Sequence, residues 1–234
     1  MFDAKKLLEQ FLGSQVPGAG KSVGGTAQSA LDMARRNPLA AGAIAGLLLG
    51  TKTGRTLSTS ALKVGGLAAI AGLGYQAYKN YQAGKSPEQA IPQVTSDSPL
   101  ALPPPQSPFH PDSVDNDQAF ALVLVRAMIS AARADGHIDD LERARITGKI
   151  SATGIDRDAE AFLESELSRP ADLDSLVSAA VTEEQKVELY TASRLAIEPD
   201  TRAERGYLDL LAGRLQLPDA LIDHIDVAVT SAKN

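Results

Sequence analysis

Residues 117–134, DQAFALVLVRAMISAARA, constrain the fold of this chain more than any other run. At 3.6 residues per turn, Phe120, Leu124, Ala127, Met128 and Ala131 form one apolar stripe and Leu122, Val125, Ile129 and Ala132 a second. Only Arg126, Ser130 and Arg133 remain for a polar edge. A helix apolar over most of its circumference has to be surrounded, so this run predicts a central helix. From Asp115 onward proline and glycine become scarce, apolar residues keep helical spacing, and no convincing period-2 alternation occurs. Helix starts punctuate the rest. Asp139 to Glu142, Thr182 to Gln185 and Thr201 to Glu204 each fit a capping box, Asp156 and Asp172 are simpler caps, and Pro218 suits a first helical position. The pattern predicts an all-α domain over residues 112–234, with about seven helices round one core.

Charge divides the chain into unlike parts. Residues 1–90 balance to +6 and residues 112–234 to −11. An acidic folded domain repels a phosphate backbone, so no nucleic acid is expected as a partner. The absence of cysteine excludes disulfides, thiolate zinc sites and cysteine nucleophiles. Between the two parts, residues 86–111 hold eight of the thirteen prolines and no Lys or Arg, which predicts an extended, semi-rigid linker. At the other end, residues 1–28 combine a short amphipathic helix with a flexible Gly/Ser stretch. Phe2, Leu7, Leu8, Phe11 and Leu12 suit a helix lying on a membrane or on a partner, and Glu9 and Gln10 interrupt too early for a secretory signal.

Residues 29–85 carry a small-residue pattern. Gly42, Gly46, Gly50 and Gly54 recur at every fourth position, so on a helix they form a groove without side chains. Ala61, Gly65 and Ala69 repeat the spacing in a second segment, Ala68 and Gly72 add another small pair, and Tyr75, Tyr78 and Tyr81 suit an interfacial belt. The expectation is a glycine-zipper helical hairpin associated with a membrane, whose grooves also permit homo-oligomers. Length opposes it. The uncharged runs 38–51 and 64–77 are about 14 residues each, roughly 21 Å as helix against roughly 30 Å of hydrocarbon, so full spans need Lys52, Arg55 and Lys63 to snorkel. A packed soluble pair and a re-entrant hairpin remain alternatives. The flanking Lys and Arg give a narrow vote for both ends, and so the C-terminal domain, in the cytoplasm.

An internal repeat appears at an offset of 62: residues 131–156 align with 193–218, each half a helix, a short acidic turn and a second helix with its capping box. The turn ADGHIDDLE after an apolar helix, its echo AIEPDTRAE, and the small-residue pair ahead of a proline-rich run together resemble the YebE-type bacterial inner-membrane proteins, whose C-terminal domain is TerB-like. That resemblance implies an all-helical TerB-like fold, a location at the inner (cytoplasmic) membrane, an uncharacterised function, and a metal site at Asp135, Asp139, Glu142, Asp200 and Glu204. Such an oxygen-rich set suits a divalent cation such as Ca, Mg or Mn. Helix-starting chemistry explains much of it without an ion: Asp139 caps, Glu142 closes the box, and only Asp135 is left over. His137, His110 and His224 read as solvated surface residues.

No G-x-S-x-G, Walker loop or H-E-x-x-H occurs, and GAGKS at 18–22 lacks both the upstream glycine and a preceding strand. The chain therefore reads as a non-enzymatic protein with no certain cofactor. It anchors an acidic helical domain at a membrane for interaction with an unidentified protein, with divalent-cation binding or sensing as the alternative function.

Overall fold

The computed structural model describes residues 5, 8, 66–87, 102–113, 118–134, 157–169 and 172–233. Among these the chain is all-helical, with seven helices and no strand: α1 (Gly66–Gln82), α2 (Gln118–Ala132), α3 (Arg157–Ser168), α4 (Leu173–Ala179), α5 (Glu183–Ala196), α6 (Arg202–Leu215) and α7 (Asp219–Lys233). The central role expected for α2 holds. Both of its apolar stripes are covered, with Phe120, Ala121, Leu124, Val125, Ala127, Met128, Ile129 and Ala131 all buried.

Helix α5 is the second centre, packed against α1, α2, α6 and α7. Ten successive residues, Val187 to Ala196, are buried there, including Glu188, Thr191, Ser193 and Arg194. Two hydroxyls tolerate this because each donates to a carbonyl one turn back, Thr191 Oγ1 to Val187 O at 2.7 Å and Ser193 Oγ to Leu189 O at 3.1 Å. Arg194 is held by partners on α7 and at its own helix end. Its Nε donates to Asp226 Oδ1 at 3.0 Å, Nη2 to Thr230 Oγ1 at 3.1 Å and Nη1 to Ile197 O at 3.0 Å.

The core does not stop at residue 112. Helix α1 buries Leu67, Ile70, Leu73 and Ala77 along one stripe against α5 and α7. Its small residues serve that approach: Ala69 and Gly72 are buried, and a methyl added at Gly74 would meet Val187 Cγ1 at 3.3 Å and Thr191 Oγ1 at 3.5 Å. The three tyrosines anticipated as an interfacial belt also have partners within the fold. Tyr75 and Tyr78 set their rings on Phe109 at 5.9 and 5.5 Å, Tyr78 donates to Glu183 Oε2 at 2.9 Å, and Tyr81 lies 6.3 Å from the His224 ring. Small-residue spacing reports close backbone approach, whether the helices meet in lipid or in a protein core. Among the described residues no helix is long and apolar enough to cross a membrane. Residues 29–65, with Gly42, Gly46, Gly50, Gly54 and Gly65, lie outside the described residues.

Residues 102–113, the last part of the run expected as an extended linker, form successive turns, with Ser107 N donating to Pro104 O, His110 N to Ser107 O and Ser113 N to His110 O. Proline's fixed φ fits turns as well as extended chain, and burial of Phe109 decides between them here. The amphipathic N-terminus also contributes to the domain. Leu8 is fully buried in the same core, while Lys5 donates from Nζ to Pro111 O at 2.8 Å and from its backbone to Gln118 Oε1 at 3.2 Å. His224 is a correction to the surface reading: it is buried, and its Nε2 lies 3.1 Å from Lys85 O, an acceptor that makes this nitrogen the donor.

Three of the anticipated helix starts form as expected, Pro218 stands just before its helix, and Asp139, Glu142 and Asp156 lie outside the described residues. Thr182 with Gln185 and Thr201 with Glu204 form complete capping boxes, Asp172 accepts from Ser175 N, and Pro218 O accepts from Leu221 and Ile222 at the start of α7. Helix α6 ends on Gln216 in the left-handed region (φ 58°), its N–H bonded to Ala212 O and Gly213 O. That conformation costs a non-glycine residue roughly 1 kcal/mol. Gln216→Gly is therefore expected to raise unfolding stability by about 0.5–1 kcal/mol, read from the urea midpoint.

Candidate functional site

Parts of four helices, α2, α3, α4 and α6, line a cleft of about 670 Å³. Helix α2 supplies Arg126, Ile129 and Ser130, with Arg133 just past its end; the end of α3 supplies Glu166 and Arg169; the start of α4 supplies Asp172 to Leu176; and α6 supplies Leu210 and Arg214. The positions 126, 130 and 133 are the polar edge left over on α2. Spaced by four and three residues, they fall on one face, which on an otherwise buried helix has to border an opening.

Most of the charge is already paired. Arg126 Nε lies 3.1 Å from Glu166 Oε1 with its guanidinium 5.3 Å from the Phe162 ring centre, and Arg169 Nη1 reaches the same oxygen at 3.8 Å. Arg214 pairs with Asp174. The Asp172 carboxyl is held below its ordinary range by the Ser175 hydroxyl, then by the Ser175 amide, which both donate to it. Arg133 is arranged differently. Its Nη1 donates to Arg169 O at 2.6 Å and lies 3.5 Å from Glu166 O, covering carbonyls at the end of α3, while its buried Nε has no hydrogen-bond partner. The short Ser175–Asp172 contact belongs to the cap that starts α4.

Of the residues anticipated as metal ligands, the two described ones, Asp200 and Glu204, do not line this cleft. Asp135, Asp139 and Glu142 lie outside the described residues. Asp200 is exposed and its carbonyl accepts from Arg205 Nη1 at 2.8 Å. Glu204 is buried and its Oε2 takes two donors from Thr201, the amide and Oγ1, each at 2.9 Å. Thus Glu204 is engaged in starting α6. Among the described residues no three His, Asp or Glu side chains gather as a metal site.

Comparison with known proteins places the chain in a family. A family described as "Protein of unknown function (DUF533)" matches residues 34–229. An "Uncharacterized protein in ampR 5'region" from Yersinia enterocolitica is 32% identical over 110 residues, covering 47% of this chain and 79% of that protein. No solved structure matches. The chain belongs to the DUF533 family, a TerB-like family of unknown function.

Proposed function

We propose that this protein is a non-enzymatic interaction protein of the bacterial inner membrane, in which residues preceding α1 form the anchor and the acidic helical domain receives a protein partner. The observation that carries the reading is the continuity between the two. The glycine-rich run 42–65 leads directly into α1, and α1 is packed along its length on α5 and α7. Whatever holds that run at a surface therefore keeps the domain, cleft included, close to it. The balance of Lys and Arg around the run favours the domain on the cytoplasmic side, and the every-fourth-residue glycines suit pairing between copies.

The test is fractionation of bacteria expressing the full chain. The protein is expected in the membrane pellet, to remain there through a high-salt wash, and to be released by detergent. Recovery of the intact chain in the soluble fraction at low salt overturns the reading.

A further inference from the structure

The cleft is a basic place in an acidic domain. Residues 112–234 carry thirteen Lys and Arg against twenty-four Asp and Glu, yet among the described residues the cleft lining has four arginines against three acids, Glu166, Asp172 and Asp174, a local balance of +1. Three of those arginines have carboxylate partners within the chain. Among the described residues Arg133 has none within ion-pair distance, and the carbonyls at the end of α3 fix its position. A partly buried guanidinium with an orphaned Nε is costly, and an incoming anion offsets that cost. Arginine's planar fork, held in place beforehand, suits an oxygen anion.

Charge and surroundings select among anions. A single carboxylate neutralises the lining, whereas a phosphate dianion overshoots it beside three acids. An anionic bilayer or a nucleic acid meets the −11 of the domain. The lining also has an apolar side. Leu210 is 55% exposed on α6, and Leu173, Leu176 and Ile129 continue from it inward. An exposed leucine on the rim of an arginine cleft suits a ligand that presents an apolar side chain beside its acid. The volume lies in the range of roughly 300–1,000 Å³ that encloses compact ligands, room for a few residues of extended chain.

We propose that the cleft between α2, α3, α4 and α6 binds a short segment of a partner protein in which an Asp or Glu stands next to an apolar residue, the carboxylate on Arg133 and the apolar side chain on Leu210. This rests on the interaction reading above for the partner being a protein, and it adds the partner's chemistry and the place of contact.

The test uses the full chain and a fluorescein-labelled peptide containing Leu-Glu-Leu flanked by glycines, beside its Leu-Gln-Leu counterpart, with anisotropy as readout. The Glu peptide is expected to bind at least about tenfold more tightly than the Gln peptide, and Arg133→Gln to remove that preference. Arg133 also covers the end of α3, so a second variant, Leu210→Glu, guards against a folding artefact: the site is exposed, and the added charge is expected to weaken the Glu peptide by about tenfold or more. Arg205→Gln, outside the cleft, is expected to change nothing. Equal binding of the two peptides, or binding indifferent to both Leu210→Glu and Arg133→Gln, overturns the proposal. So does a cleft that takes inorganic phosphate or phosphatidylglycerol vesicles in an Arg133-dependent manner while ignoring the Glu peptide. A chain that stays in the membrane pellet but fails with the peptides loses this inference alone; one that is soluble yet binds the Glu peptide at Arg133 loses the anchoring reading alone.

Discussion

A fragment beginning at residue 112 is expected to be at least about 3 kcal/mol less stable than one beginning at residue 66, although both contain every helix from α2 onward. The faces of α5 and α7 that receive α1 are apolar and lose their cover when α1 is removed. Leu67, Ile70 and Leu73 of α1 and Phe109 of the turns that follow are all buried against that core. Fully burying one such side chain contributes about 1.5–3 kcal/mol, so wetting even two side chains' worth of surface on the α5–α7 side produces the expected loss. Native domains hold only about 5–15 kcal/mol in total, which brings the shorter fragment close to unfolding. Urea unfolding followed by far-UV circular dichroism measures the difference. Coincident midpoints would show that α1 lies outside the cooperative unit. The same contact can be tested in the full chain: the methyl position of Gly74 already lies 3.3 Å from Val187 Cγ1, so Gly74→Leu is expected to wedge α1 off α5 at a cost of about 1–3 kcal/mol.

That expectation could not be drawn from the sequence, and the reason is physical. Every-fourth glycines and alanines with nearby tyrosines report that backbones approach closely, and lipid and protein cores reward this alike. For Ala69, Gly72 and Gly74 the neighbouring surface is α5 or α7, and only the tertiary fold specifies it. Local chemistry was more legible. The boxes at Thr182 and Thr201 and the cap at Asp172 need only residues three positions apart, and each forms as its spacing predicts. Helix α2 announced itself because hydrophobic residues cover it. Helix α5 concealed an equally central position, since EEQKVELYTASRLA reads as a polar surface helix until Thr191 and Ser193 turn their hydroxyls onto their own backbone and Asp226 meets Arg194. The cleft was the least legible element. Its arginines span positions 126 to 214, on α2, α6 and the ends of α2 and α3, and only the Arg126, Ser130, Arg133 edge of α2 signalled that something polar faced that side.

The buried charge at the ends of α5 and α7 should make the protein most stable in mildly alkaline solution. Lys233 is only 8% exposed, and its Nζ donates to Ile197 O at 2.8 Å, to Arg194 O at 3.3 Å and to Glu198 Oε2 at 3.3 Å. Desolvation, with Arg194 nearby as a second cause, lowers its pKa from 10.5 to about 8 against the opposing pull of Glu198 and Asp226. Above about pH 8 the folded chain releases this proton while the unfolded chain keeps it, so stability rises with pH until the unfolded lysine also titrates near 10.5. The gain is on the order of 2–3 kcal/mol. Tyrosines set its upper limit. Burial raises the pKa of Tyr190 and lifts that of Tyr207 to about 12, so above pH 10 their unfolded counterparts ionise first and stability falls. Urea midpoints are therefore expected to climb from pH 7, peak between about pH 9 and 10, and decline beyond. Lys233→Met keeps a chain of similar length, leaves Ile197 O covered by Arg194 Nη1, and is expected to abolish the climb while preserving the decline. An identical climb in the variant would place its origin somewhere other than Lys233.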